Sequence, residues 1–213
     1  DRTRHFAAVR SVLEQAEVLI FTLGLTEAWR ARADGAVYPL APGVAGGTFD
    51  RDVHEFVNFS VEETVADFTD FLALARRNNP DLSLILTVSP VPLAATARAD
   101  AHVVSATSYS KAVLRVAAEQ LAQADPAISY FPSYEIITSA QSRGRYFGDD
   151  LRAVERAGVR HVMDVFARHH APDAAAPTRA QTSKPVGPAH QRRRLQQALD
   201  TICDEQRLDE VAT

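Results

Sequence analysis

Cysteine is nearly missing from this chain: Cys203 stands alone among 213 residues, which excludes an internal disulfide framework and any metal site built only of thiolates. Positive charge is not in excess either. The 23 Lys and Arg against 27 Asp and Glu leave a formal net charge of −4, the wrong sign for a protein held to nucleic acid through its phosphates. No apolar run approaches the roughly 18 residues that a bilayer-spanning helix requires, and the amino end shows no leader pattern. These absences set the expectation of a soluble, cytoplasmic protein with no membrane span and no nucleic-acid partner. Three catalytic patterns are also missing: a Gly-x-Ser-x-Gly elbow, a glycine-rich phosphate loop ending in Lys-Ser/Thr, and a dinucleotide fingerprint after a strand. No cofactor is therefore expected. His54-Glu55 begins like a zinc-protease motif, but Asn58 stands where its second histidine belongs, so no metal is expected and His54 reads as solvated or structural.

What is present is an alternation of short apolar runs and amphipathic stretches. Val18–Leu23 reads as a buried strand, and Gly24 is expected to end it by letting the backbone turn with positive φ. Leu84-Ile85-Leu86-Thr87-Val88 breaks into Ser89-Pro90-Val91-Pro92 in the same way, and Ile128-Ser129-Tyr130-Phe131 breaks into Pro132-Ser133-Tyr134-Glu135. Helical spacing places Phe6, Val9, Leu13 and Ala16 on one face over Thr3–Ala16. Ser60-Val61-Glu62-Glu63 is a capping box that opens a helix with Val61, Val65, Phe68, Leu72 and Ala75 on its apolar side, closed by Asn79-Pro80. A further helix is predicted over 107–123, with Tyr109, Val113, Val116, Ala117 and Leu121 inward, and another over 155–169. The order argues for an α/β sandwich around a parallel sheet, which binds ligands at the carboxyl edge of its strands.

A helix that runs straight into a parallel strand normally follows another strand, so a strand before Asp1 is expected. The strand Val18–Leu23 would then border an unfilled place in the sheet, with self-association through the exposed edge as a consequence. The connection from about Leu25 to Phe59 is long, but Trp29, Tyr38, Phe49, Phe56 and Phe59 favour an ordered excursion with hairpin-like pieces. The organisation read here is one α/β domain over 1–170 lacking its first strand, an Ala/Pro-rich linker over 171–190 and a helix over 191–213. Arg192-Arg193-Arg194 reads as a solvated face.

Thr22-Leu23-Gly24, Asn79-Pro80, Thr87-Val88-Ser89-Pro90-Val91, Ser110-Lys111-Ala112, Tyr130-Phe131-Pro132-Ser133-Tyr134-Glu135-Ile136 and Arg145-Tyr146-Phe147 with Asp149-Asp150 follow one another in an order and spacing that resembles the GSCFA-domain family. The resemblance covers roughly Glu17 to Phe166. That family is similar to the SGNH esterases, and the resemblance implies a flavodoxin-like three-layer fold with helices on both faces of a parallel sheet. It also implies acyl-ester chemistry, hydrolysis or transfer, with a saccharide ester as one substrate class. A serine nucleophile, oxyanion donors on neighbouring loops and a late Asp-x-x-His pair would carry it. The alternative is a catalytically inactive ligand-binding or accessory domain of a glycan-modifying protein. The eponymous Gly-Ser-Cys-Phe-Ala motif is not in these residues and is expected upstream of Asp1; Ala153 stands where the late histidine belongs after Asp150.

The catalytic candidates are accordingly Asp150, His161 as base with His102 as its rival, and Gly24 through its backbone N–H. Glu27 sits where related esterases place an amide side chain, and with Trp29, Ser89, His102, Ser133 and Glu135 it forms the set expected to contact substrate. Blander roles stand beside these: Asp150 as a turn cap, His161 as a structural histidine, Glu27 in a salt bridge. Ser110 and Lys111, inside a helix, are read as exposed or backbone-bonded, or as lining the cleft.

Overall fold

The computed structural model describes residues 2–44 and 46–170. The chain divides into two compact units, Asp1–Arg143 and Gly144–Thr213. The linker and final helix expected over 171–213 lie outside the described residues.

The first unit runs α1 (Arg2–Gln15), β1 (Val18–Leu23), β2 (Glu27–Ala31), β3 (His54–Asn58), α2 (Val61–Arg76), β4 (Ser83–Val88), α3 (Val103–Ala124), β5 (Ile128–Tyr130) and α4 (Ser133–Thr138). β1, β4 and β5 form a parallel sheet in the order β1-β4-β5, and β2 and β3 pair as a separate antiparallel hairpin. Leu23, Leu84, Leu86, Val88 and Ile128 meet Phe68 and Leu72 of α2 and Leu114, Ala118 and Leu121 of α3 in one buried cluster. Ser60 caps α2 as its sequence predicts: its side chain accepts the Glu63 N–H at 3.2 Å, and the Glu63 carboxylate accepts the Ser60 N–H at 2.8 Å.

Among the described residues β1 pairs on one side only. Ser83 N–H donates to the Glu17 carbonyl and Ser89 N–H to the Leu23 carbonyl. Peptide groups alternate sides along a strand, so those of Val18, Ile20 and Thr22 point away from β4 toward the free edge. The expectation of a buried strand is corrected here: Val18 is 49% exposed, Ile20 50% and Phe21 38%, and only Leu23 is buried. A run apolar on both faces predicts cover on both faces, and the described residues supply it on one.

Two further readings shift. α3 begins at Val103, a turn earlier than the 107 expected, because the Nδ1 of His102 accepts the Val104 N–H at 3.3 Å and caps the helix. Its buried stripe runs through Ala106, Ser110, Val113, Leu114, Ala117 and Leu121, leaving Tyr109 and Val116 exposed on its flanks. The segment after β5 is a short helix, α4, rather than a loop.

α1 has no buried residue. Its last carbonyls are held by Asn79, whose Nδ2 donates to Leu13 at 2.9 Å and Ala16 at 2.8 Å. Between α1 and α2 lies an apolar groove of about 780 Å3, bordered by Phe6, Leu13, Phe71 and Leu74. In the second unit, a bridge between Phe147 and Val154 precedes α5 (Arg156–His170). No helix among the described residues is long and apolar enough to cross a membrane.

Candidate active site

β1, β4 and β5 end side by side, which brings Gly24, Ser89 and Ser133 to one edge of the sheet. The turn after β1 is the most constrained part of that edge, and Gly24 makes it outside the left-handed region, which corrects the positive φ expected from the sequence. Lys111 Nζ donates to the Gly24 carbonyl at 2.8 Å, and the Thr26 N–H donates to Ser110 Oγ at 2.8 Å. Thr26 Oγ1 donates to Asn58 Oδ1 at 2.6 Å, and the Thr26 carbonyl accepts the Phe59 N–H at 3.0 Å. Thr26 is 1% exposed, Ser110 0% and Lys111 2%. Ser110 and Lys111 are thus backbone-bonded and buried rather than exposed. Among the described residues, no hydrogen bond uses the N–H of Gly24 or of Leu25. The turn therefore keeps its carbonyl and its Thr26 N–H inside and leaves two consecutive N–H groups available, an arrangement that can receive a negative oxygen.

The other candidates are mostly occupied. Both oxygens of Glu27 are engaged, one accepting Thr96 Oγ1 at 2.6 Å and the other the Ala97 N–H at 3.2 Å, so this carboxylate clasps the β4–α3 loop onto β2. Ser89 Oγ accepts the Val91 N–H at 3.2 Å, a local turn. Ser133 Oγ lies 2.5 Å from Thr87 Oγ1 and donates to the Val88 carbonyl at 3.0 Å, pinning α4 to the end of β4. Glu135 accepts from Arg115 Nε at 2.9 Å and from the Tyr130 hydroxyl at 2.8 Å, with the Arg115 guanidinium over the Tyr130 ring. Burial, then the Glu135 carboxylate, push the Tyr130 phenol well above its ordinary range, which keeps it a donor.

Trp29 packs edge-on against Phe49 and Phe56 on the hairpin, and His54 lies against Tyr38 and Phe49 with its Nδ1 accepting the Asp50 N–H at 3.0 Å. His54 is structural, and among the described residues no group of three His, Cys, Asp or Glu is placed to hold a metal.

Within the second unit, one carboxylate oxygen of Asp150 accepts the N–H groups of Arg152 and Ala153, each at 2.9 Å. These two bonds hold the carboxyl below its usual range. His161 is exposed and stacks on Tyr146 at 5.7 Å between ring centroids. No hydrogen bond or ion pair joins Asp150 to His161. The structure thus shows Asp150 in the turn-capping role that its position also allowed.

A profile of the GSCFA family matches residues 1–166. The chain belongs to the GSCFA family. No curated protein and no solved structure matches it. The GSCFA blocks legible in the sequence coincide with the places where the fold is tied together: Gly24 at the turn, Asn79 on α1, Ser110 and Lys111 on that same turn, Tyr130 and Glu135 on Arg115. Sequence reasoning missed Thr26, Asn58 and Thr96. Thr26 stood two residues past Gly24 and could have been suspected; Asn58 and Thr96 carry no signal of their own, because only the chain's return brings them there.

Proposed function

We propose that this GSCFA protein is an esterase or acyltransferase acting on an acyl ester, with saccharide esters as the substrate class, on a flavodoxin-like three-layer fold of which β1, β4 and β5 are part. The observation that carries the reading is the clamped turn Gly24–Thr26 at the carboxyl edge, with two unpaired N–H groups. Acyl transfer passes through a tetrahedral intermediate whose oxygen must meet donors already in place. The serine nucleophile in this reading comes from a segment outside these 213 residues. His161 serves as base: it is exposed, and unlike His102 it is not consumed in capping a helix.

A second reading, a catalytically inactive ligand-binding or accessory domain, is favoured by one observation. The Asp150 carboxylate is engaged by backbone, with Ala153 in the position of the late histidine. A fluorophosphonate serine probe separates the two. The esterase reading expects stoichiometric labelling of the full-length protein and none of the 213-residue chain; an unlabelled full-length protein supports the inactive domain. Labelling of the 213-residue chain at an edge serine would place the nucleophile inside it and overturn that assignment.

A further inference from the structure

The buried pair Ser110-Lys111 has no part in the reaction as drawn so far. α3 approaches the end of β1 with two adjacent side chains, one accepting and one donating, and they grip the turn on either side of Leu25: Lys111 takes the Gly24 carbonyl, Ser110 the Thr26 N–H. The peptide between Gly24 and Leu25 is planar and trans, so its carbonyl and its N–H point in opposite directions. A carbonyl drawn inward to Lys111, 2% exposed, turns the Leu25 N–H outward. Leu25 itself is 40% exposed, and its N–H has no partner among the described residues.

Gly24 has nothing within 4 Å of the place a Cβ would occupy. No neighbour crowds that side of the turn, and among the described residues Lys111 is the hydrogen-bond partner of the Gly24 carbonyl, so its loss would leave that carbonyl without the bond that draws it inward. An outward carbonyl would oppose an incoming negative oxygen where an N–H should receive it.

We propose that Lys111 is a positioning residue that fixes the Gly24–Leu25 peptide with its N–H outward, making Leu25 N–H a preformed donor to the oxyanion of acyl transfer. The inference deepens the esterase reading and rests on it for the identity of the anion, whereas the orientation of the peptide does not depend on any activity. Lys111 acts through the backbone and touches no substrate.

The test uses the full-length protein and Lys111→Met, which keeps an unbranched stem one atom shorter and removes the donor. Hydrolysis of p-nitrophenyl acetate should show kcat lowered by about a hundredfold with KM little changed, as loss of one oxyanion donor does. The Gly24 carbonyl carbon resonance should move upfield, while amide resonances of β4 stay in place. In the unmutated protein, slowed exchange of the Lys111 Nζ protons and their correlation with the Gly24 carbonyl carbon read the same contact if the variant does not fold. Wild-type kcat in the variant, an unmoved Gly24 resonance, or rapid exchange and no correlation in the unmutated protein would overturn the proposal. An inactive wild type with a Lys111-dependent carbonyl would instead overturn the ester reading and leave the orienting role standing.

Discussion

Thr26 Oγ1 donates to Asn58 Oδ1 across 2.6 Å, joining the turn after β1 to the last residue of β3. The bond closes the base of the β2–β3 hairpin, so the excursion of residues 27–58 is tied at its root to the sheet edge. Thr26→Val keeps the shape and removes the donor. Leaving the Asn58 oxygen partly buried and unpaired should cost about 1–3 kcal/mol. Urea unfolding of Thr26→Val against wild type checks this, and a change within error would show that the hairpin holds itself.

Arg76 pairs with Asp125 and also donates to the Leu82 carbonyl from Nε at 3.2 Å and Nη2 at 3.1 Å. The Arg76 hydrogen bond, then the N–H of Ala127, hold the Asp125 carboxyl below its ordinary value. A carboxyl that titrates lower when folded contributes its full stabilisation above the unfolded value of about 4 and loses it as pH falls through the lower folded value. Asp125→Asn should therefore be less stable at neutral pH and lose less stability on acidification from pH 5. Parallel acid limbs in thermal melts of the two proteins would contradict this.

The open edge of β1 predicts association. Among the described residues the peptide groups of Val18, Ile20 and Thr22 have no strand beside them, and they lie next to half-exposed apolar side chains, a template for another strand. The 213-residue chain should self-associate at micromolar concentration in sedimentation velocity, and Ile20→Lys should reduce it, because Ile20 is 50% exposed and the charge faces water. A wild-type chain that sediments as a clean monomer would remove this expectation.

Histidine substitutions in the full-length protein test the assignment of the base. His161→Ala should lower kcat by several orders of magnitude with the fold intact, as loss of a triad base does. His102→Ala should leave kcat near wild type and cost about 0.5–2 kcal/mol of stability, the range for losing a helix cap. The reverse pattern would move the base to the β4–α3 loop.

Sequence reading succeeded where the signal is local. β1 and β4 were legible to the residue because an apolar run ended by Gly24 or by Ser89-Pro90 leaves few alternatives, and the capping box at Ser60 announced α2 within one residue. The start of α3 is not legible in the sequence because histidine is an uncommon cap. The site was legible only as an edge. That Ser110 and Lys111 would reach Gly24 and Thr26 depends on how α3 crosses the sheet, 84 and 87 residues further along the chain. That Glu27 would be consumed by Thr96 and Ala97 depends on the path of a loop with no periodicity. Burial on both faces of β1 was the natural reading of Val-Leu-Ile-Phe, since composition reports what a strand can have as neighbours and not which are present.

The attachment of α1 carries a consequence for how the molecule opens. A helix of 14 residues with no buried side chain is marginal in water, and among the described residues its end is held by the Asn79 amide. It is therefore expected to open as a unit separate from the α2–α3 core, many times for each opening of that core. Hydrogen exchange would record it as an early-deuterating block, and a protease would find its first cut before β1, not in the long hairpin.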